Sequence, residues 1–225
     1  MGDNPSKSTH WSLEPLLNEG SEDVGLYKGL RSVIYASNGT SYQVARIDTS
    51  TRAFNTIDYA HHEIHAGSSF TIDHYAESKN DGQTINVYMK TANTAKWLHM
   101  FMNWSSGGAA FTRIYEGPTI TANTGTNGVA IFNRNRNSTN TSGVSDNAAS
   151  PAANKIGTDV TKTANGTIIY TEYAGAAKAQ GAFVRSEREF VLKSNTVYLF
   201  EVESDAAGIT LNFDLTWYEH TDQDA

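Results

Sequence analysis

The 225-residue chain contains no cysteine, which excludes disulfide staples, thiolate metal centres and cysteine nucleophiles together and fits a chain made in a reducing cytoplasm. Basic runs are missing too. Lys and Arg number 17 against 24 Asp and Glu, for a formal net charge of −7, so there is no electrostatic footprint for nucleic acid or anionic lipid and neither partner is expected. No stretch approaches the roughly 18 apolar residues that cross a bilayer as a helix. Met1-Gly2-Asp3-Asn4-Pro5-Ser6 lacks the basic segment and apolar run of a secretory signal, so the expectation is a soluble chain with no classical export route. Matches to myristoylation (Gly2, Ser6) and glycosylation (Asn38, Asn137, Asn165) triplets read as coincidence in a chain this rich in Asn, Ser and Thr. Helical periodicity is scarce as well, with one candidate turn near Leu13–Asn18.

What is present is two-residue alternation. In Thr84–Lys90 the residues Ile85, Val87 and Met89 share one side, and in Thr210–Tyr218 the residues Leu211, Phe213, Leu215 and Trp217 do. Trp97 to Trp104 carries large side chains on both faces (Leu98, Met100, Met102; Trp97, His99, Phe101), which predicts a central strand covered on both sides. Further strands are expected at 43–48, 53–65, 68–75, 111–115, 128–132, 167–173, 183–192 and 196–203, punctuated by turns such as Asp81-Gly82, Gly107-Gly108 and Ala207-Gly208. Without amphipathic crossovers these strands indicate an all-β body, a β-sandwich or jelly roll, over residues 43–225. A polar stretch at about 133–164 reads as an exposed loop or a segment ordered by a neighbour. Residues 1–42 have sparse apolar side chains and read as an extended arm, with Trp11, Leu13, Leu16 and Leu17 as docking residues.

The chemically suggestive motif is His61-His62-Glu63-Ile64-His65, with His74 and His99 in nearby expected strands. A metal centre on His61, His65 and His99 is the alternative to a plain polar strand face, because on a strand His61, Glu63 and His65 share one side and the helical zincin spacing is absent. A cupin-like metalloenzyme would need a second ligand set, for which Glu219-His220 is the late candidate. There is no Gly-x-Ser-x-Gly elbow and no phosphate-cradling glycine loop, and the carboxylates Glu172, Glu187, Glu189, Glu201 and Glu203 read as solvated strand faces. No catalytic residue, resident metal or cofactor is expected. Arg134, Arg136, Arg185 and Arg188 are the candidate partner-binding cations.

Four segments, Tyr59–Phe70, Lys96–Met100, Asn133–Ser138 and Trp217–Asp222, resemble in order a family of tailed-bacteriophage head decoration, or cement, proteins. That resemblance covers roughly residues 55–222. It implies a β-sandwich that oligomerises, commonly as a homotrimer, on the outer surface of the capsid, with the major capsid protein as partner and no catalytic motif. The arm would extend a neighbour's sheet by main-chain pairing while Trp11, Leu13, Leu16 and Leu17 fill pockets. A carbohydrate- or receptor-binding jelly roll of a phage tail or fibre is the rival, and the cupin-like enzyme the second.

Overall fold

The computed structural model describes residues 59–175 and 189–221, together with the backbone of 35–37 and 42–44. The chain divides into two compact units, Met1–Ile57 and Asp58–Ala225. In the first, β1 (Tyr35–Ser37) and β2 (Tyr42–Val44) pair antiparallel, Tyr35 opposite Val44. The docking residues Trp11, Leu13, Leu16 and Leu17, the expected helical turn, and Arg185 and Arg188 lie outside the described residues.

The second unit is an all-β sandwich of antiparallel sheets. One sheet has six strands in the order β12 (Thr167–Ala174), β6 (Ala110–Glu116), β14 (Val197–Ser204), β4 (Thr84–Lys90), β10 (Lys155–Thr158), β8 (Thr126–Ala130). The other has five: β13 (Phe190–Leu192), β5 (Lys96–Ser106), β15 (Ile209–Thr221), β3 (Ser69–Lys79), β9 (Phe132–Asn133). The turns at 80–83, 107–109 and 205–208 each carry the chain from one sheet to the other, and they meet at one end: Gly82 N–H donates to Ser204 O (2.8 Å) and Asp205 N–H to Ala109 O (2.8 Å). At Gly82 and Gly208 the backbone is left-handed (φ 73° and 68°), a conformation that favours glycine.

Between the sheets the alternating residues form one core. Ile85, Val87 and Met89 of β4 meet Leu98, Met100 and Met102 of β5 and Leu211, Phe213, Leu215 and Trp217 of β15. A second, smaller core of Tyr88, Tyr115, Val160 and Leu199 lies on the outer side of the six-stranded sheet. It is packed with Ile120 of β7 (Thr119–Ile120), which pairs with β11 (Lys162–Ala164). The two-faced burial expected of Trp97–Trp104 therefore belongs to β4 and β14. In β5 only alternate residues are buried, and Trp97 is 47 % exposed.

Two further expectations change. The polar stretch 133–164 is not an exposed loop: Ile156 is fully buried, β10 pairs with both β4 and β8, and Ser142, Asp146 and Asn147 are buried. Its side chains act as backbone partners. Asp146 accepts N–H groups of Gly128, Ala148 and Ala152, and Asn86 closes on Val160 in both directions (Nδ2 to O 3.1 Å; N to Oδ1 2.9 Å). The second change is at residues 59–66. Tyr59–Ala66 is a helix, α1, where a strand was expected. It ends at Gly67 in a left-handed residue (φ 73°), with Gly67 N–H on Ile64 O (3.1 Å) and Ser68 N–H on Glu63 O (2.9 Å), the paired bonds of a Schellman stop. A side chain at Gly67 would also strike Ser138, whose Oγ lies 2.2 Å from the position of the added carbon.

Candidate functional site

Because α1 is a helix, His61 and His65 lie four residues apart on one face, with Nε2 atoms 3.0 Å apart. The other histidines expected near them separate. His74 donates to Asp159, the residue after β10 (Nε2–Oδ2 3.0 Å), and packs edge-on against buried Phe213. His99 lies on the outer face of the five-stranded sheet. Among the described residues no group of three or more His, Cys, Asp and Glu converges as one metal centre.

The outer face of β5 and β15 carries the densest chemistry. Their register sets Tyr218 opposite His99 and His220 opposite Trp97. The His99 ring stacks on Tyr218 (centroids 4.5 Å, planes 9° apart), with Trp97 at 6.5 Å. Tyr59 of α1 closes the end of this row, edge-on to His220 at 5.2 Å and 5.9 Å from Tyr218. One carboxylate ties the row together: Glu189 Oε1 accepts from His99 Nδ1 and from the Tyr218 hydroxyl (2.5 Å). Burial first, then the hydrogen bond and charge of Glu189, with smaller contributions from Tyr59 and Glu63, push the Tyr218 phenol well above its usual range, so it stays a neutral donor. His99 and His220 themselves meet, Nε2 to Nε2 at 2.8 Å.

Glu219, between Tyr218 and His220, faces inward instead. Its carboxylate accepts Ser142 Oγ (2.5 Å), Gly143 N–H (3.1 and 3.2 Å) and Trp217 Nε1 (3.1 Å). A buried carboxylate with four such contacts is a structural clamp, fastening the 142–143 segment to β15. Glu219 and His220 therefore do not act as one ligand set. Of the other carboxylates expected on solvated strand faces, Glu187 lies outside the described residues, Glu172 takes Trp104 Nε1 (3.1 Å) and Tyr170, and Glu203 takes Arg113, whereas Glu201 is not solvated but buried, taking Tyr115 (2.8 Å) and Lys162 (3.0 Å).

The segment Asn133–Ser138, with Asn140 just beyond it, has a role the sequence did not show. Asn133 donates to Gly67 O (2.8 Å), Asn135 to His65 O (3.0 Å) and Asn140 to Ala66 O (3.4 Å), so three amides satisfy the carbonyls at the end of α1. Arg134 and Arg136 alternate with them and stay exposed, Arg134 reaching Ser69 Oγ (3.4 Å) and Arg136 lying over the exposed Phe132 ring at 5.5 Å. Tyr59, Glu189, Tyr218 and His220 were not singled out as one site by sequence reasoning. The usable signal was the outward phase of β5 and β15, which puts His99, Tyr218 and His220 on one face once their pairing is known.

The fold and this face define the chain as an all-β sandwich with an aromatic and histidine surface at one end. No protein-family model matches the chain, and no curated protein or solved structure does.

Proposed function

We infer that this protein is a structural component of a tailed-phage virion that binds the outer surface of the head and stabilises it, as a homo-oligomer of trimeric type in contact with the major capsid protein. The observation that carries the reading is spatial. The four segments that resemble head decoration proteins are spread over more than 150 residues, yet they come together: Asn133 and Asn135 cap α1, Tyr59 packs on Tyr218 and His220, His99 meets His220, and Glu219 N–H donates to Ser68 O (3.0 Å). The resemblance therefore marks one surface instead of scattered fragments. Exposed Trp97 and Tyr59, with Arg134 and Arg136 nearby in the same segments, supply the aromatic and guanidinium groups favoured at protein interfaces.

The physics of such a role is linkage: a protein that binds the assembled shell and not its separated subunits stabilises the shell by its binding free energy, summed over many copies. No proton transfer or covalent step is required of it. Heads prepared with and without this chain, then heated while released DNA is followed, test the reading. Heads carrying it should release DNA at higher temperature, and the chain should sediment with them. Equal release temperatures, with the chain left in the supernatant, overturn the reading. Binding to a glycan array in place of heads would move the protein to the carbohydrate-binding class.

A further inference from the structure

The contact between His99 and His220 has an electronic consequence. His99 Nδ1 faces the Glu189 carboxylate and His220 Nδ1 faces the main-chain carbonyl of Thr221 (3.1 Å). A carboxylate and a carbonyl only accept, so each ring places a proton on Nδ1 and turns its Nε2 to the other ring. The two Nε2 atoms are 2.8 Å apart. Two lone pairs at that distance repel unless a proton or a metal ion lies between or beside them.

We propose that His99 and His220 form a two-histidine site for a divalent transition-metal ion of the copper or nickel type, with Glu189 and the Thr221 carbonyl as the outer partners that fix both imidazoles. Imidazole nitrogen suits these ions, and tetragonal coordination is their preferred geometry. With metal–nitrogen bonds of about 2.0 Å, two ligands at roughly 90° stand about 2.8 Å apart, whereas a tetrahedral zinc site holds them at about 3.3 Å. The rings are also set at an angle, centroids 4.7 Å apart and planes at 35°, so their lone pairs are not constrained to the line joining the nitrogens.

The surroundings are those of a metal-bound histidine pair. A carboxylate or carbonyl on the far ring nitrogen fixes the tautomer and raises the basicity of the ligating nitrogen. Here both rings have one, and His99 is further held by its stack on Tyr218. Trp97, which flanks His99, is half exposed, so water can reach this face and would complete the coordination. The ion would join β5, β15 and the residue preceding β13 at the face described above, and its binding does not depend on the head-binding reading.

The test is titration of the full chain with copper(II) chloride and with nickel(II) chloride, followed by calorimetry and, for copper, electron paramagnetic resonance. Three proteins are compared: the unaltered chain, His99→Gln with His220→Gln, and His61→Gln with His65→Gln, the last because the helical pair on α1 is a second place where two imidazoles meet. The expected result is a copper equivalent with nitrogen hyperfine structure in the unaltered chain, kept in the α1 variant and lost in the strand variant. Glu189→Gln should weaken it 10- to 100-fold, the effect typical of losing such an outer partner. A rise in melting temperature on adding copper to the unaltered chain, absent in the strand variant, separates lost binding from lost folding, provided that variant still shows a cooperative melt. Retention of the equivalent in a folded strand variant, or its loss in the α1 variant alone, overturns the proposal. So does absence of binding in the unaltered chain, which would leave a proton shared between the rings as what relieves the contact.

Discussion

The two sheets of the sandwich share one core but treat their outer faces differently. In β4 and β14 of the six-stranded sheet the outward residues Tyr88 and Leu199 are buried, because the 119–164 region folds back over them. In the five-stranded sheet most outward residues of β5, β15 and β3 stay partly or fully open, with Trp97 47 % and Tyr75 62 % exposed, Tyr218 and Ser69 being the buried exceptions. The lesson is about what a polar segment is for. Residues 119–164 are mostly polar and bury only a few apolar side chains such as Val144, Ile156 and Val160, yet they turn part of one sheet face into interior while the opposite sheet keeps an outward face.

The largest test of this contrast is Leu199→Ala. Leu199 is fully buried although it points away from the main core, so truncation should cost about 2–5 kcal/mol, the range for emptied leucine sites. The midpoint of urea denaturation measures it. A cost below about 1 kcal/mol would mean that the covering region contributes no real packing.

Alkaline stability comes next, because the six-stranded sheet buries phenols. Burial first, then the Glu116 hydrogen bond and charge, against an opposing bond from the Lys193 N–H, push Tyr198 up to about 12, and Tyr115 is raised by burial and Glu201. A folded pKa above the unfolded value near 10 means stability that is whole below about pH 10 and falls as pH rises through 12. For Tyr198 alone the loss is on the order of 3 kcal/mol, at about 1.4 kcal/mol per pKa unit over the two units from 10 to 12. Tyr198→Phe should flatten the curve between pH 10 and 12, as read from melting temperatures.

A smaller effect is expected from Lys162→Ala. Lys162 Nζ sits 3.0 Å from buried Glu201 and 3.6 Å from the centre of the Tyr115 ring. Its removal leaves Glu201 with the Tyr115 hydroxyl and should cost about 1–2 kcal/mol by calorimetry. Trp97→Ala on the open face marks the small end. Being half exposed, it should change stability by no more than about 0.5 kcal/mol while lowering the fraction of chain that sediments with heads. A large loss of stability there would erase the difference between the two outer faces.

Much of the sandwich was legible. Alternation located β4, β6, β12, β14 and β15 closely, since a strand with one buried face must place apolar residues at every second position. The misses share one cause, which is that their partners are distant in sequence. Lys155-Ile156-Gly157-Thr158 has a single large apolar residue, yet it becomes β10 because β4 and β8 lie on either side of it. Residues 59–66 read as a strand because His61, Glu63 and His65 alternate, while the Ala66-Gly67 stop and the amides of Asn133, Asn135 and Asn140 make a helix of them. The histidine cluster was visible as composition. Its division into an α1 pair, a His74–Asp159 link and a His99–His220 pair was not.

By itself the sequence determined an all-β body without thiol chemistry, because composition and a two-residue period are local properties carried by each strand. Only the tertiary structure decided which outer face is covered and that His99 and His220, 121 residues apart, meet at 2.8 Å. Those outcomes depend on strand order and register, which arise when distant segments pair and which no local pattern encodes.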